Sequence, residues 1–298
     1  MIELKDVSMQ FEHYQALRRV SLSVKTGSAM GLLGSNGAGK STMLRLLAGI
    51  YQQSEGEVTI DGMPVFDNVA IKKKVFFIND ETVQYNSYTL MELKNYYKLF
   101  YANFSEEVFE ELRERIKLPL NKKISQFSKG MKRQAIMIIA LACQTEYLFL
   151  DEAFDGLDPT MRLIVKRMLV DAMIDRNMTI IISSHNLKEI GELCDTVALV
   201  HQGEVVFTRE LDQINDNIHK IQVAFKEPKE QSAFASLDVL HYETNGSVIS
   251  MIVRGTEQEV VTTLAKMNPV ICDRVALTLE EVFIYEMEGL GYECTQLG

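Results

Sequence analysis

Nine consecutive residues, Gly34, Ser35, Asn36, Gly37, Ala38, Gly39, Lys40, Ser41 and Thr42, carry the most specific chemistry in the chain. They fit G-x-x-x-x-G-K-[ST], with Gly34, Gly39, Lys40 and Ser41 at its defined places. Glycines let a backbone turn through positive φ and approach a polyphosphate closely. Successive N–H groups can then converge on one concavity, a nest for anions. Lys40 can reach the β- and γ-phosphates as a point charge, and Ser41 can offer its hydroxyl to Mg²⁺.

Two further places complete such a site. The apolar run Tyr147-Leu-Phe-Leu150 ends in Asp151 and Glu152. Asp151 can hold Mg²⁺ directly or through water. Glu152 can orient and deprotonate a water for in-line attack on a γ-phosphate. His185 ends the next buried run, Met178-Thr-Ile-Ile-Ile-Ser183-Ser184. Ligands of parallel α/β sheets bind beyond the carboxyl ends of the strands, so His185 can meet the γ-phosphate or the water.

Strands and helices must position these groups. Ala29-Met-Gly-Leu-Leu33 reads as a short buried strand before the loop, and Met43–Ala48 as a helix after it, closed by Gly49. The loop therefore has the strand-loop-helix setting its motif requires. Residues 1–27 read as antiparallel strands, with Val20–Val24 alternating strictly. Gly56–Gly62 and Val75–Ile78 read as further strands. Residues 82–145 form a mostly helical insertion: Leu90, Leu93, Tyr97 and Tyr101 recur at helical spacing, a second pattern runs from Val108 to Ile116, and a third starts near Ser128. This insertion is tyrosine-rich (Tyr85, Tyr88, Tyr96, Tyr97, Tyr101), which suits helix packing or a docking surface. A helix over 160–176 follows Pro159. Val197–Val200 and Glu204–Phe207 read as a closing hairpin. Strands separated by helices predict a parallel α/β sheet with helices on both sides.

The polar stretch 208–220 marks a boundary. The expected domains are 1–214 and a small α+β unit over 215–298, with strands at 221–225 and 248–253 and helices at 256–266 and 278–288. The second unit carries no motif with assignable chemistry.

Composition sets the outer bounds. The chain has 298 residues, 47% hydrophobic and 24% charged, with a net charge of −10. That balance disfavours a general nucleic-acid binder, which needs a basic footprint. No apolar run approaches the ~18 residues of a membrane span, and the start lacks a signal-peptide core. A soluble, cytoplasmic chain is expected. The four cysteines, at 143, 194, 272 and 294, lack metal-ligand spacing and read as reduced thiols.

Taken together, Gly34–Thr42, Phe127-Ser128-Lys129-Gly130-Met131, Tyr147–Glu152, Asp155-Gly-Leu-Asp158 and His185 resemble the ATP-binding subunit of an ABC transporter across residues 1 to about 210. The texture around Leu32–Gly37 and the ending Leu279-Glu-Glu-Val-Phe283 is most similar to bacterial drug and antimicrobial-peptide exporters. The resemblance implies a P-loop ABC ATPase core with a mixed sheet, an antiparallel β subdomain and a helical subdomain. It implies Mg²⁺ and ATP as cofactors, and two ATP molecules sandwiched head to tail in a homodimer or heterodimer. Ser128 and Gly130 of one subunit would close over the γ-phosphate held by the other, and Asp158 would make a contact across the pair. Phe11 would stack on adenine, with Tyr14 as the competing ring. Asp80 stands where the family has Gln and can contact Mg²⁺. Lys129 and Met131 depart from the usual Gly and Gln of the signature segment.

The implied function is ATP-driven dimer closure that powers a membrane-spanning permease partner, placing the subunit on the inner face of the cell membrane. An exporter of drug, lipid or peptide is the favoured direction. Soluble relatives that act on ribosomes or DNA are the alternative. Those usually carry tandem nucleotide modules or a long coiled coil, and this chain has one phosphate loop and no such coil. Small P-loop kinases and GTPases lack the Ser-x-Gly, Asp-Glu and His series in this order.

Overall fold

The computed structural model describes residues 1–79, 85–211, 218–227, 229–275, 277, 281, 284 and 285. The chain divides into two compact units, Met1–Thr208 and Arg209–Gly298.

The first unit begins with β1 (Ile2–Phe11) and β2 (Tyr14–Val24), then β3 (Ala29–Leu33) and α1 (Lys40–Leu47). Next come β4 (Glu55–Ile60), β5 (Met63–Pro64), α2 (Val69–Lys72) and β6 (Val75–Ile78). The helical region holds α3 (Leu90–Lys98), α4 (Glu106–Ile116) and α5 (Lys129–Ala142). It is followed by β7 (Tyr147–Asp151), α6 (Pro159–Arg176), β8 (Thr179–Ser183), α7 (Leu187–Gly191), β9 (Thr196–His201) and β10 (Glu204–Glu210).

Six strands form the sheet that carries the site, in the order β10-β9-β3-β8-β7-β6. The pairs β3–β8, β3–β9, β6–β7 and β7–β8 are parallel. β10 returns beside β9 through Gln202 and Gly203, both at positive φ, as a two-residue hairpin turn requires. A second sheet, β2-β1-β4-β5, is antiparallel throughout.

Burial follows the sequence pattern. Every residue of β3, β7 and β8 is buried, as expected of unbroken apolar strands inside a parallel sheet. β2 alternates at its end, with Val20, Leu22 and Val24 inward. α1 lies between the sheets, touching β7 and β8 on one side and β2 and β4 on the other. Met43, Leu44, Leu46 and Leu47 fill that space with Leu32, Phe149 and Ile181. Each such side chain contributes about 1.5–3 kcal/mol when removed from water.

The helices start where capping chemistry dictates. Thr89 and Glu92 form a reciprocal capping box at α3. Ser128 caps α5, whose stretch from Ala135 to Ala142 is entirely buried. Asp158 caps α6, with Pro159 at the first helical position. No helix among the described residues is long and apolar enough to cross a membrane.

The second unit is a four-stranded antiparallel sheet in the order β12-β13-β11-β14, built from β11 (Ile218–Ala224), β12 (Asp238–Asn245), β13 (Val248–Arg254) and β14 (Ile271–Val275). α8 (Glu257–Ala265) opens on a Thr256–Glu259 capping box. Val260 and Leu264 of this helix share a core with Ile221, Val223, Phe234, Met251 and Val253. The central strands were legible as apolar runs. The edge strands β12 and β14 were not, because β12 mixes polar with apolar residues and β14 is a short run interrupted by Asp273 and Arg274, with Ile271 and Cys272 exposed.

Candidate nucleotide site

The sheet brings three strand ends together. Leu32 of β3 pairs with Ser183 of β8, and Ser183 pairs with Asp151 of β7. The phosphate loop, the Asp151–Glu152 pair and His185 therefore leave adjacent parallel strands at the same edge.

The loop is shaped by close approach. A Cβ on Gly34 would lie 2.1 Å from the Val200 carbonyl oxygen, and its φ is +148°. Only glycine lets the chain pass there. The hairpin turn braces the other side, with the Gly203 N–H donating to the Ala38 carbonyl at 2.9 Å. α1 then starts at Gly39 with no side-chain cap and no acidic residue in its first turn. Its leading N–H groups are thus free of a carboxylate competitor, the arrangement that binds phosphate at a helix start.

An open pocket of about 210 Å³ sits over this loop, lined by Asn36 through Thr42 together with Tyr14, Ala16 and Glu152. Gly34 and Ser35 form its support. Their carbonyls accept from the Lys40 ammonium at 2.6 and 3.1 Å. Burial holds the Lys40 pKa below its ordinary value, against the opposing pull of Glu152 and Asp151. The site thus holds a desolvated cation beside two carboxylates.

Ser41 Oγ donates to Asp151 Oδ1 at 3.0 Å. Hydroxyl and carboxylate oxygens in this pairing are hard donors of the kind Mg²⁺ takes. Ser183 Oγ donates to the same Oδ1 at 2.5 Å.

Glu152 adopts φ +48°, unusual for a residue with a side chain. Its N–H points to the Ser183 carbonyl and hydroxyl, each at 3.2 Å. Its Oε2 lies 3.1 Å from His185 Nδ1. Asp155 joins them, one ligand-capable atom from each of the three residues lying within 4.8 Å of the others. Burial raises the Glu152 pKa, while His185 and Lys40 pull it down and Asp155 adds to the rise. A carboxylate whose proton affinity is raised in this way is suited to general-base work.

Of the two candidate rings for adenine, Tyr14 lines the pocket and donates to the Gly37 carbonyl at 3.3 Å. Phe11 does not line it; its ring packs edge-on against Tyr51, 5.3 Å between centroids. The two are the last pair of the β1–β2 hairpin and so share a face of the sheet; what separates them is the Tyr51 ring, which takes up Phe11. The sequence motif alone could not choose between them.

Ser128, Gly130 and Asp158 also stand outside this pocket. Ser128 Oγ accepts from the Met131 N–H at 3.2 Å. Asp158 Oδ1 accepts from the N–H groups of Thr160 and Met161, both at 3.0 Å. The Lys129 stem lies across Gly156, its Cδ 3.2 Å from where a Cβ would sit. Asp80, residues 279, 280, 282 and 283 of the ending and most of the helix expected over 278–288 lie outside the described residues. Ser183 was visible in the sequence only as a polar residue closing an apolar strand. Its double engagement became apparent from the register of β7 and β8.

Residues 17–155 match the ABC transporter family. The ABC transporter ATP-binding protein YtrB of Bacillus subtilis is 29% identical over 289 residues, spanning 97% of this chain and 99% of that one. The bacitracin transport ATP-binding protein BcrA of Bacillus licheniformis is 30% identical over 223 residues, 74% of this chain and 73% of that protein. A solved ATP-binding subunit of an ABC transporter superposes with a TM-score of 0.66 at 27% identity, covering 72% of this chain and 92% of its own. The chain belongs to the ATP-binding, ATP-hydrolysing subunits of ABC transporters.

Proposed function

We propose that this subunit works as one of a pair, closes on ATP and powers a membrane-embedded exporter. Subunits of the family dimerise and work with membrane-spanning permeases. The observation that carries the closure reading is the make-up of the pocket. Loop, general-base candidate and ring line it, while Ser128 and Gly130 of the same chain do not. A second subunit, identical or related, would bring its Ser128 hydroxyl and the N–H groups at the start of its α5 to the γ-phosphate. Asp158 would contribute at the same interface.

In this reading the N–H groups of residues 36–42 and the Lys40 ammonium bind the phosphates. Ser41 and Asp151 hold Mg²⁺, which offsets phosphate charge when bound; Asp80 is a further proposed ligand. Glu152 accepts the proton of the attacking water, and His185 keeps the Glu152 carboxylate facing it. Tyr14 stacks on adenine. Energy enters as the greater affinity of the closed pair for ATP over ADP.

The bacitracin transport relative supports a transport role, and the Nod factor export ATP-binding protein I of Rhizobium meliloti, 27% identical, supports the outward direction. The aromatic surface from Tyr85 to Tyr101, with Leu99 and Phe100 exposed beside it, suits a cytoplasmic segment of the permease. That partner would hold the subunit at the inner face of the cell membrane. The second unit is proposed to add subunit contact. Deletion of 215–298 keeps β10 whole and should weaken pairing while ATP binding persists; an unchanged dimer in light scattering would refute it.

Glu152→Gln tests the central reading. It should bind Mg-ATP, hydrolyse it at least ~10²-fold more slowly, and accumulate as a dimer in size exclusion. Near-normal hydrolysis would remove Glu152 as the base. Co-purification with the products of neighbouring reading frames tests the permease.

A further inference from the structure

The buried hydroxyl of Ser183 links the two carboxylates of the site. Ser183 is fully buried, with 0% exposure, at the last position of β8. It sits between β3 and β7, so it is flanked by the strand that enters the phosphate loop and the strand that ends in Asp151.

Its hydroxyl uses both of its capacities. It donates to Asp151 Oδ1 at 2.5 Å and accepts from the Glu152 N–H at 3.2 Å. Asp151 Oδ1 also receives the Ser41 hydroxyl at 3.0 Å. Two donors on one oxygen pin the rotation of that carboxylate and leave Oδ2 free of both. On the other side, the same hydroxyl helps hold Glu152 at φ +48°. The left-handed region is disfavoured for a residue with a side chain, so that conformation persists only where neighbours over-determine it. This conformation is the one in which Oε2 meets His185.

We propose that Ser183 is a positioning residue for ATP hydrolysis: one buried hydroxyl orients Asp151 toward the metal and Glu152 toward the attacking water. An apolar residue would satisfy the packing of a buried strand end equally well. It would leave Asp151 with one donor in place of two and Glu152 with its backbone anchor alone. Groups that orient ligands from behind typically matter by about 10–100-fold in metal affinity or activity. The proposal rests on the roles given above to Asp151 and Glu152.

Three variants, Ser183→Ala, Ser183→Thr and Glu152→Gln, measured side by side provide the test. Ser183→Ala should lower kcat about 10–100-fold. It should leave the affinity for labelled ATP without Mg²⁺ within about twofold, because the loop is untouched. The gain in that affinity on adding Mg²⁺ should shrink, a readout independent of turnover. Ser183→Thr keeps the hydroxyl and should restore most of kcat and of the Mg²⁺ effect. If Ser183→Ala keeps wild-type kcat and Mg²⁺ response while Glu152→Gln is inactive, the Ser183 proposal fails alone. If Ser183→Ala loses Mg²⁺-free ATP affinity in step with kcat, the residue is only structural and the proposal also fails. If Glu152→Gln turns over normally, the reading beneath both fails.

Discussion

Glu152 and His185 meet at 3.1 Å across the end of the central sheet, one from the end of β7 and one from the end of β8. Their sequence separation is bridged by a helix and a buried strand, and their contact is set by the parallel pairing of Asp151 with Ser183. Glu152 reaches this contact from left-handed backbone, in a partly buried setting that raises its proton affinity.

That raised pKa has a direction that hydrolysis should report. As the proposed base, Glu152 must be deprotonated to act. Its midpoint lies above the ordinary carboxylate value, so activity should fall on acidification earlier than for an exposed glutamate. A profile of log kcat against pH should show an acid limb of unit slope with its midpoint displaced upward. An acid limb at the ordinary carboxylate position would contradict the assignment.

Stability should move the opposite way. A carboxyl whose folded pKa is raised binds more protons folded than unfolded across the interval between the two values. Stability therefore declines as pH rises through that window and stays lowered above it. Glu152→Gln removes the burdened charge. The variant should melt higher than wild type near neutral pH, by about 1–3 °C for roughly 0.5–1 kcal/mol, and the difference should vanish below the window. Calorimetry at two pH values checks both sign and range.

The two rings near the β1–β2 turn separate by phenotype. Tyr14→Ala should weaken ATP affinity about 5–30-fold, the value of a lost stacking contact of about 1–2 kcal/mol. Phe11→Ala should leave affinity nearly unchanged and cost stability, because Phe11 packs on Tyr51. Titration with a fluorescent ATP analogue and a melting curve distinguish them.

Two glycines of the loop should differ as sharply. Gly34→Ala places a methyl 2.1 Å from the Val200 carbonyl and should disrupt folding or abolish binding. Gly37 also has positive φ, +81°, but no atom lies within 4 Å of its would-be Cβ. Gly37→Ala should therefore cost only the backbone term, about 1–2 kcal/mol, and remain folded by circular dichroism.

Much of this protein was readable from residue order. Local chemistry made it so: a glycine-rich turn before Lys40, unbroken apolar runs for β7 and β8, and helix starts near Ser128 and at Pro159 each depend on neighbours within a few residues. The motif series then pointed to the family. Tertiary structure decided what depends on register and burial. It put Tyr14 and not Phe11 on the pocket, because Tyr51, forty residues further along the chain, takes up the Phe11 ring. It set Glu152 in left-handed backbone against His185, and turned Ser183 from the last residue of an apolar strand into the link between two carboxylates. Parallel strands align residues tens of positions apart, and a hydroxyl's partners follow from that alignment, which local sequence does not encode.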